Sequence, residues 1–338
     1  MNMKKLRFGL IGAGGIAQAY AQAFALSKYC ELVAVADVRQ ESAAALAEIC
    51  GGKDYQDYQQ LAAAETELDA VIIATPPQSH AEIACYFLSR KVPVLCEKPL
   101  CLSVAEAQKM IAAAENAEVL FTMASKFRYC ADIIKAKGIV ASGMLGDVIQ
   151  FENAFTAKVE MSKRWNSQRE ISGGGVLIDN GTHSVDIIRY FLGAIEAVLA
   201  VDAGSTQNLN VDENVKMFAR TKNDVTASVD LTWGINKELP YFISIYGTNG
   251  ILHIGWRESK YRLNSNPDWT MLGNGYDKLE SFRAKIENFA KALRGEEELL
   301  IKPEDALASV QVIEAAYKSL TQNLWQQIIE KTEAAKNA

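Results

Sequence analysis

The sequence predicts a two-part α/β chain: a parallel sheet covered by helices on both faces, then an α+β domain on a mostly antiparallel sheet. Three observations predict it. Near-continuous apolar runs alternate with helical patterns over the first third. A glycine-rich segment, Gly12-Ala13-Gly14-Gly15-Ile16-Ala17, directly follows the first apolar run. Beyond about residue 126 the pattern changes to alternating strands separated by Gly- or Asn-bearing turns.

The elements follow in order. Residues 6–11 read as the first strand, and Ile16, Tyr20, Ala23, Phe24 and Ser27 then recur at helical spacing. Residues 32–36 are the second run, followed by an Ala-rich helix to Cys50. Residues 70–74 are the next, followed by a helix over 80–89 with Ser79 and Glu82 as a capping box. Residues 92–96 form another strand, Ser103 and Glu106 cap the helix after it, and 119–124 close the series. A helix over 131–142 leads to strands near 147–155, 196–204, 213–221, 225–233, 241–247 and 250–255. Thr248-Asn249-Gly250 marks one of the turns between them. Helices over 276–293 and 303–329 end the chain, with Pro303 at the start of the second. The expected domains are 1–126 and 127–338, and the last helix can pack back on the first domain.

Composition narrows the function. At 338 residues, 49% hydrophobic and 22% charged, the chain has the make-up of a globular protein and can bury a sizeable core. A net charge of −6 argues against a basic nucleic-acid surface and against a polybasic membrane anchor. Six cysteines at 30, 50, 85, 96, 101 and 130 form no C-x-x-C pair and read as reduced thiols. Three histidines without an HExxH pattern argue against a dedicated metal site. The uncharged stretch 8–27 mimics a signal peptide, but it holds four glycines, two glutamines and a tyrosine, and cleavage would delete the glycine-rich segment. The expected location is the cytoplasm.

Gly12, Gly14, Gly15, Ile16 and Ala17 fit G-x-G-x-x-A in strand–turn–helix context, the fingerprint of a doubly wound Rossmann sheet. The glycines let backbone approach a pyrophosphate, and the helix N-terminus offers N–H groups and partial positive charge. Asp37 ends the second strand 20 residues after Ala17, where a carboxylate can accept from a ribose diol and repel a 2′-phosphate. This favours NAD. Arg39 could accept a phosphate and keeps NADP open.

Two further clusters carry chemistry. Cys96-Glu97-Lys98-Pro99 ends a parallel strand, where open α/β sheets bind ligands. Lys98 can point into a nicotinamide crevice; a surface lysine in a β–α loop is the plain alternative. The run Gly173-Gly174-Gly175 leads into Asp179-x-x-x-His183-x-x-Asp186. On a helix, Asp179 and His183 share a face, and Asp186 can orient the imidazole. The plain alternative is a structural Asp/His pair on a buried helix. His253 alternates within a strand and reads as packing. His80 follows Thr75-Pro76-Pro77, nearer a cofactor than a reacting carbon.

Glu97-Lys98-Pro99, Thr75-Pro76-Pro77-x-x-His80 and the glycine run before Asp179-x-x-x-His183 together resemble the glucose–fructose oxidoreductase / inositol dehydrogenase / rhizopine-catabolism (Gfo/Idh/MocA) family. Phe127-Arg128-Tyr129, the Gly247-Thr248-Asn249-Gly250 turn and the helix near 282–293 extend the resemblance over nearly the whole chain. It implies a Rossmann domain plus a domain with a large open sheet that usually forms the subunit interface, hence a homodimer or homotetramer. It implies hydride transfer between a nicotinamide and a carbinol carbon of a carbohydrate or cyclitol. Lys98 would polarise the reacting oxygen and touch the cofactor, His183 would be the acid/base and Asp179 a substrate anchor. Thr75, Pro76, His80 and Glu97 would line the cofactor, and Arg128, Trp165 and Asn166 are further candidate substrate contacts.

Departures from the family pattern are Pro77, where Asn is frequent, and Arg128-Tyr129-Cys130-Ala131, which lacks the usual proline. The loop 158–172 carries Lys163, Arg164, Trp165, Asn166 and Arg169, and its three cations invite an acidic substrate unless the loop is simply a solvated face. Two other readings share the fold. One is a glycoside hydrolase that recycles retained NAD within a turnover. The other is a non-catalytic nucleotide sensor, which intact Lys98, Asp179 and His183 argue against.

Overall fold

A computed structural model describes residues 4–328. The chain divides into two compact units. The first takes residues up to Ile134, Glu170–Gly173 and Tyr276–Leu307; the second takes Lys135–Arg169, Gly174–Gly275 and Ala308 onward.

The first unit opens with β1 (Leu6–Ile11), α1 (Ala17–Leu26), β2 (Cys30–Ala36), α2 (Gln40–Cys50), β3 (Lys53–Tyr55) and α3 (Tyr58–Ala64). It continues through β4 (Ala70–Ile73), α4 (His80–Leu88), β5 (Val94–Glu97), α5 (Val104–Ala117) and β6 (Phe121–Ala124). Every strand pair is parallel, in the order β3-β2-β1-β4-β5-β6. The order reverses between β1 and β4, so the crevice at the carboxyl ends of these strands is the place where this architecture holds ligands. β4 and β5 are buried on both faces, which is why they read as unbroken apolar runs.

Helices α6 (Ala131–Ala141), α7 (Arg169–Ser172) and α8 (Val176–Leu192) and strands β7 (Val148–Thr156), β8 (Ile195–Asp202), β9 (Asn214–Thr221) and β10 (Thr226–Thr232) come next. Then follow β11 (Tyr241–Gly247), β12 (Gly250–Gly255), β13 (Ser259–Leu263), β14 (Thr270–Gly273), α9 (Lys278–Leu293), α10 (Pro303–Gln322) and β15 (Gln326–Gln327). The second sheet runs β14-β13-β12-β11-β7-β10-β9-β8-β15. It is antiparallel except for the parallel β7–β10 pair. Burial alternates along β9, so one face packs inward and Phe218 stands exposed on the other. Helix α8 lies against β7, β9 and β10.

Helix α9 returns to the first unit and packs on α1. Phe282 meets Tyr20 at 5.0 Å between ring centroids, and Phe289 meets Phe8 at 6.1 Å. Each fully buried aromatic of this kind contributes roughly 1.5–3 kcal/mol.

Several local expectations change. Ser79 caps no helix with its side chain; its hydroxyl donates to Thr75 Oγ1 and the Pro76 carbonyl, a closer local acceptor set. Ser103 does cap, accepting the Glu106 N–H, while Glu106 accepts the Leu102 N–H. The last helix stops at Gln322 rather than 329, because Asn323 turns left-handed at φ 55° and the chain pairs as β15 with β8. Residue 329 lies outside the described residues. Strands β3, β13 and β14 have no counterpart in the sequence reading: β3 and β13 are mostly polar and largely unburied, and β14 is four residues long with none of them buried.

Candidate active site

The first unit gathers its candidate residues at the carboxyl ends of β1, β2, β4 and β5. Gly12 has φ 99°, and a Cβ there would sit 2.8 Å from the backbone of Ala74 and Thr75. Only glycine fits. A Cβ on Gly14 or Gly15 would meet nothing within 4 Å, so the space above this loop is open. Helix α1 starts just beyond, and no side chain caps Ile16 at its N-terminus. An open glycine cradle before an uncapped helix start fits a pyrophosphate.

Asp37 stands after β2. One of its oxygens accepts the Ala13 N–H at 2.7 Å, the other the Arg39 N–H at 2.8 Å. The carboxylate thus ties the glycine loop to the end of β2, with lone pairs left for a ribose diol. The exposed Arg39 side chain lies 3.6 Å from Asp37. At the end of β4, Thr75 and Pro76 accept from Ser79. His80 is buried: Nε2 pairs with the Thr75 carbonyl at 2.8 Å, and Nδ1 faces the carbonyls of Pro99 and Leu100 at 3.0 and 3.2 Å. Its ring nitrogens serve backbone, so it braces the loops after β4 and β5 against each other. Burial draws its pKa down against those carbonyls.

Glu97 ends β5 and Lys98 follows it. Glu97 Oε1 accepts from the Tyr20 hydroxyl at 2.6 Å and from Lys285 Nζ at 2.9 Å, while Oε2 accepts the Lys98 N–H at 3.1 Å. Burial alone would push the Glu97 carboxyl up, but the Lys285 ammonium and the Tyr20 hydroxyl outweigh it and hold it below the usual range. Glu97 is therefore an internal clamp. Lys98 is half-buried, and its peptide to Pro99 is cis. Lys126, in the turn after β6, has its Nζ 5.0 Å from the Phe127 ring and 5.3 Å from Tyr276. Burial, and then the Lys98 charge, pull it to about 8.

The sequence reading missed Lys285 and Tyr20. Lys285 is fully buried on α9, 188 residues from its carboxylate partner. A signal existed: it falls three residues after Phe282 and four before Phe289, inside an apolar stripe.

In the second unit the helix forecast for the Asp/His cluster forms as α8. Asp179 is half-buried, while His183 and Asp186 are buried. The His183 ring lies 6.2 Å from the Phe155 ring. The glycine run has a packing reason: a Cβ on Gly174 would fall 1.9 Å from the Tyr317 hydroxyl, and one on Gly175 1.8 Å from the Asp212 carbonyl. Asp212 accepts the N–H groups of Gly175 and Leu177, securing the first turn of α8. Trp165 is exposed in a short 3₁₀ turn, with Asn166 half-buried beside it. Arg128 belongs to the first unit, where it is buried, paired with Asp305 at 3.0 Å and donating to the Leu300 carbonyl.

Residues 6–125 match the family described as an oxidoreductase family with an NAD-binding Rossmann fold, and residues 133–253 match its C-terminal domain. The chain belongs to the Gfo/Idh/MocA family. As a Gfo/Idh/MocA protein it is an NAD(P)-dependent oxidoreductase acting on CH–OH groups. It is similar to the rhizopine catabolism protein MocA of Rhizobium meliloti, 27% identical over 95% of this chain and 97% of that one. It is also similar to glucose-6-phosphate 3-dehydrogenase of Bacillus subtilis, 29% identical over 67% of each chain. A structure of levoglucosan dehydrogenase with NADH and levoglucosan shares the fold, with TM-score 0.89 at 23% identity over 96% of this chain and 100% of that one. Among the described residues no helix is long and apolar enough to cross a membrane, and no cluster of three metal-ligating side chains occurs.

Proposed function

We propose that this Gfo/Idh/MocA protein oxidises a secondary alcohol of a sugar or cyclitol, or reduces the corresponding ketone. The observation that carries the reading is the clamped Lys98 at the end of β5, in the same unit as a glycine cradle that fits a dinucleotide. Relatives named for glucose 6-phosphate, levoglucosan and glucosides support a carbohydrate.

Gly12, Gly14, Gly15, Ile16 and Asp37 would hold the dinucleotide, with Arg39, Thr75, Pro76 and His80 shaping its surroundings. The bound nicotinamide supplies a hydride acceptor. Lys98 donates a hydrogen bond to the reacting oxygen and stabilises the negative charge that develops there. His183 takes the hydroxyl proton on its imidazole, a group suited to transfer near neutral pH. Asp179 accepts from a neighbouring sugar hydroxyl. Trp165 and Asn166 are candidate sugar contacts, while the ion-paired Arg128 would shape the site rather than grip the substrate.

The test follows absorbance at 340 nm with NAD⁺ or NADP⁺ and a panel of cyclitols, sugars, uronates and sugar phosphates. Lys98→Met is the blank. A rise with one compound, lost in Lys98→Met with NADH binding intact, supports the reading. Normal turnover in Lys98→Met removes the lysine from the mechanism. His183→Asn should flatten the pH–rate profile, and an unchanged profile rejects it as the acid/base.

A further inference from the structure

We propose that Lys285 is a positioning residue for Lys98: by pinning Glu97 Oε1 together with Tyr20, it aims Oε2 at the Lys98 N–H and fixes the end of β5. This rests on the reading of Lys98 as the residue that holds the reacting oxygen.

The geometry is specific. Glu97 is buried and divides its oxygens, one to Tyr20 and Lys285, the other to the backbone of Lys98. Tyr20 belongs to α1, the helix that starts at the glycine loop. One carboxylate thus joins the helix that would receive the pyrophosphate to the strand end that carries Lys98. Lys285 is held over the rings of Phe282 at 3.9 Å and Tyr20 at 4.5 Å, so its ammonium has a narrow range of positions.

Stability alone is a weak reason for such a pair, because well-packed apolar residues often replace a buried ion pair at no cost. What the pair adds is orientation. With Lys285 charged, Glu97 stays ionised and accepts from all three donors. Without it, burial favours the protonated carboxyl, which loses an acceptor site. The other titratable groups in Glu97's field are Cys96 and Lys98 at its own strand end, His80 of α4, Lys126 after β6, and Tyr276 ahead of α9. Tyr20 and Lys285 are the donors seen on Oε1.

The test uses the full-length enzyme with the best sugar from the panel. Lys285→Met, Tyr20→Phe and the double variant Glu97→Gln/Lys285→Met are compared with wild type. Melting temperature, NADH dissociation constant by fluorescence titration, and kcat and KM are read between pH 5.5 and 10. Expected in Lys285→Met is a fall in kcat of at least tenfold at pH 7 that recovers as pH rises and Glu97 ionises. The sugar KM and the NADH constant should move less. The double variant should lose the pH-dependent recovery, which assigns it to Glu97. Tyr20→Phe keeps the ring packing and should show a smaller fall in kcat.

A wild-type kcat and pH profile per folded molecule of Lys285→Met, whatever its melting temperature, overturns the proposal. Retention of the recovery in the double variant overturns it as well. If Lys285→Met does not fold, an unchanged kcat profile in Tyr20→Phe overturns it. Wild type inactive toward every sugar overturns the functional reading first, and the positioning role falls with it.

Discussion

The Tyr317 hydroxyl donates to the Asp212 carboxylate across 2.9 Å, and that carboxylate holds the first N–H groups of the helix carrying Asp179 and His183. Burial pushes the Asp212 carboxyl up despite these donors, so each one matters. Tyr317→Phe should cost about 1–3 kcal/mol, the range for leaving a buried acceptor short of a donor. Urea unfolding near neutral pH checks it, and a loss of only a few tenths would mean that the bond carries little.

The glycine loop separates folding from binding. Gly12→Ala forces a Cβ against backbone at φ 99° and should destabilise the protein by ~1–3 kcal/mol or more. Gly14→Ala and Gly15→Ala meet open space and should stay within ~0.5 kcal/mol of wild type. They should nevertheless weaken NADH binding at least tenfold. Melting curves and NADH titrations on the three variants check both halves.

Glu213 is buried and accepts from five donors: the hydroxyls of Ser205 and Thr206 and the N–H groups of Thr206, Gln207 and Leu209. Burial opposes the charge, but these donors win and bring the carboxyl to about 2. A folded pKa below the unfolded one gives stability that is full above about pH 4.5 and lost as pH falls toward 2. The shift corresponds to about 3 kcal/mol. Glu213→Gln should therefore trail wild type most at neutral pH, with the gap closing on acidification. Denaturant unfolding from pH 7 to 3 measures that gap.

Lys126, at about 8, should be half free amine at pH 8, whereas an ordinary lysine is under about 1% neutral there. An NMR titration of the protein with its lysine side chains isotopically labelled, Lys126 being assigned by its loss in Lys126→Arg, reads the midpoint directly. A midpoint near about 10 would contradict the lowered value.

What the sequence shows and hides follows from the range of the interactions. Five of the six strands of the first sheet were legible because parallel strands covered on both faces must be apolar throughout, as in residues 70–73, whereas the edge strand β3, Lys-Asp-Tyr, has no such run. The glycine loop was legible because Gly12 answers a local backbone demand. Partners distant along the chain were not. Arg128 reads as a candidate substrate contact in its local setting, and its ion pair with Asp305, 177 residues on, has no local signature. Lys285 was hidden because a helix read for amphipathic spacing treats a lysine as a polar position. Its flanking phenylalanines were the clue that the ammonium is inside. Ser79 met the capping pattern, yet the loop before it offered better acceptors.

The return of α9 to the first unit also has a temporal consequence. Phe8 and Tyr20 emerge from the ribosome early, but Phe289, Phe282 and Lys285, which close their side of the core, arrive more than 250 residues later. Until then the Glu97 carboxylate lacks its cation and an apolar face of the nascent sheet stays uncovered. Synthesis as far as Phe289 therefore precedes completion of the core around Phe8 and Tyr20, and the growing polypeptide exposes apolar surface over that interval.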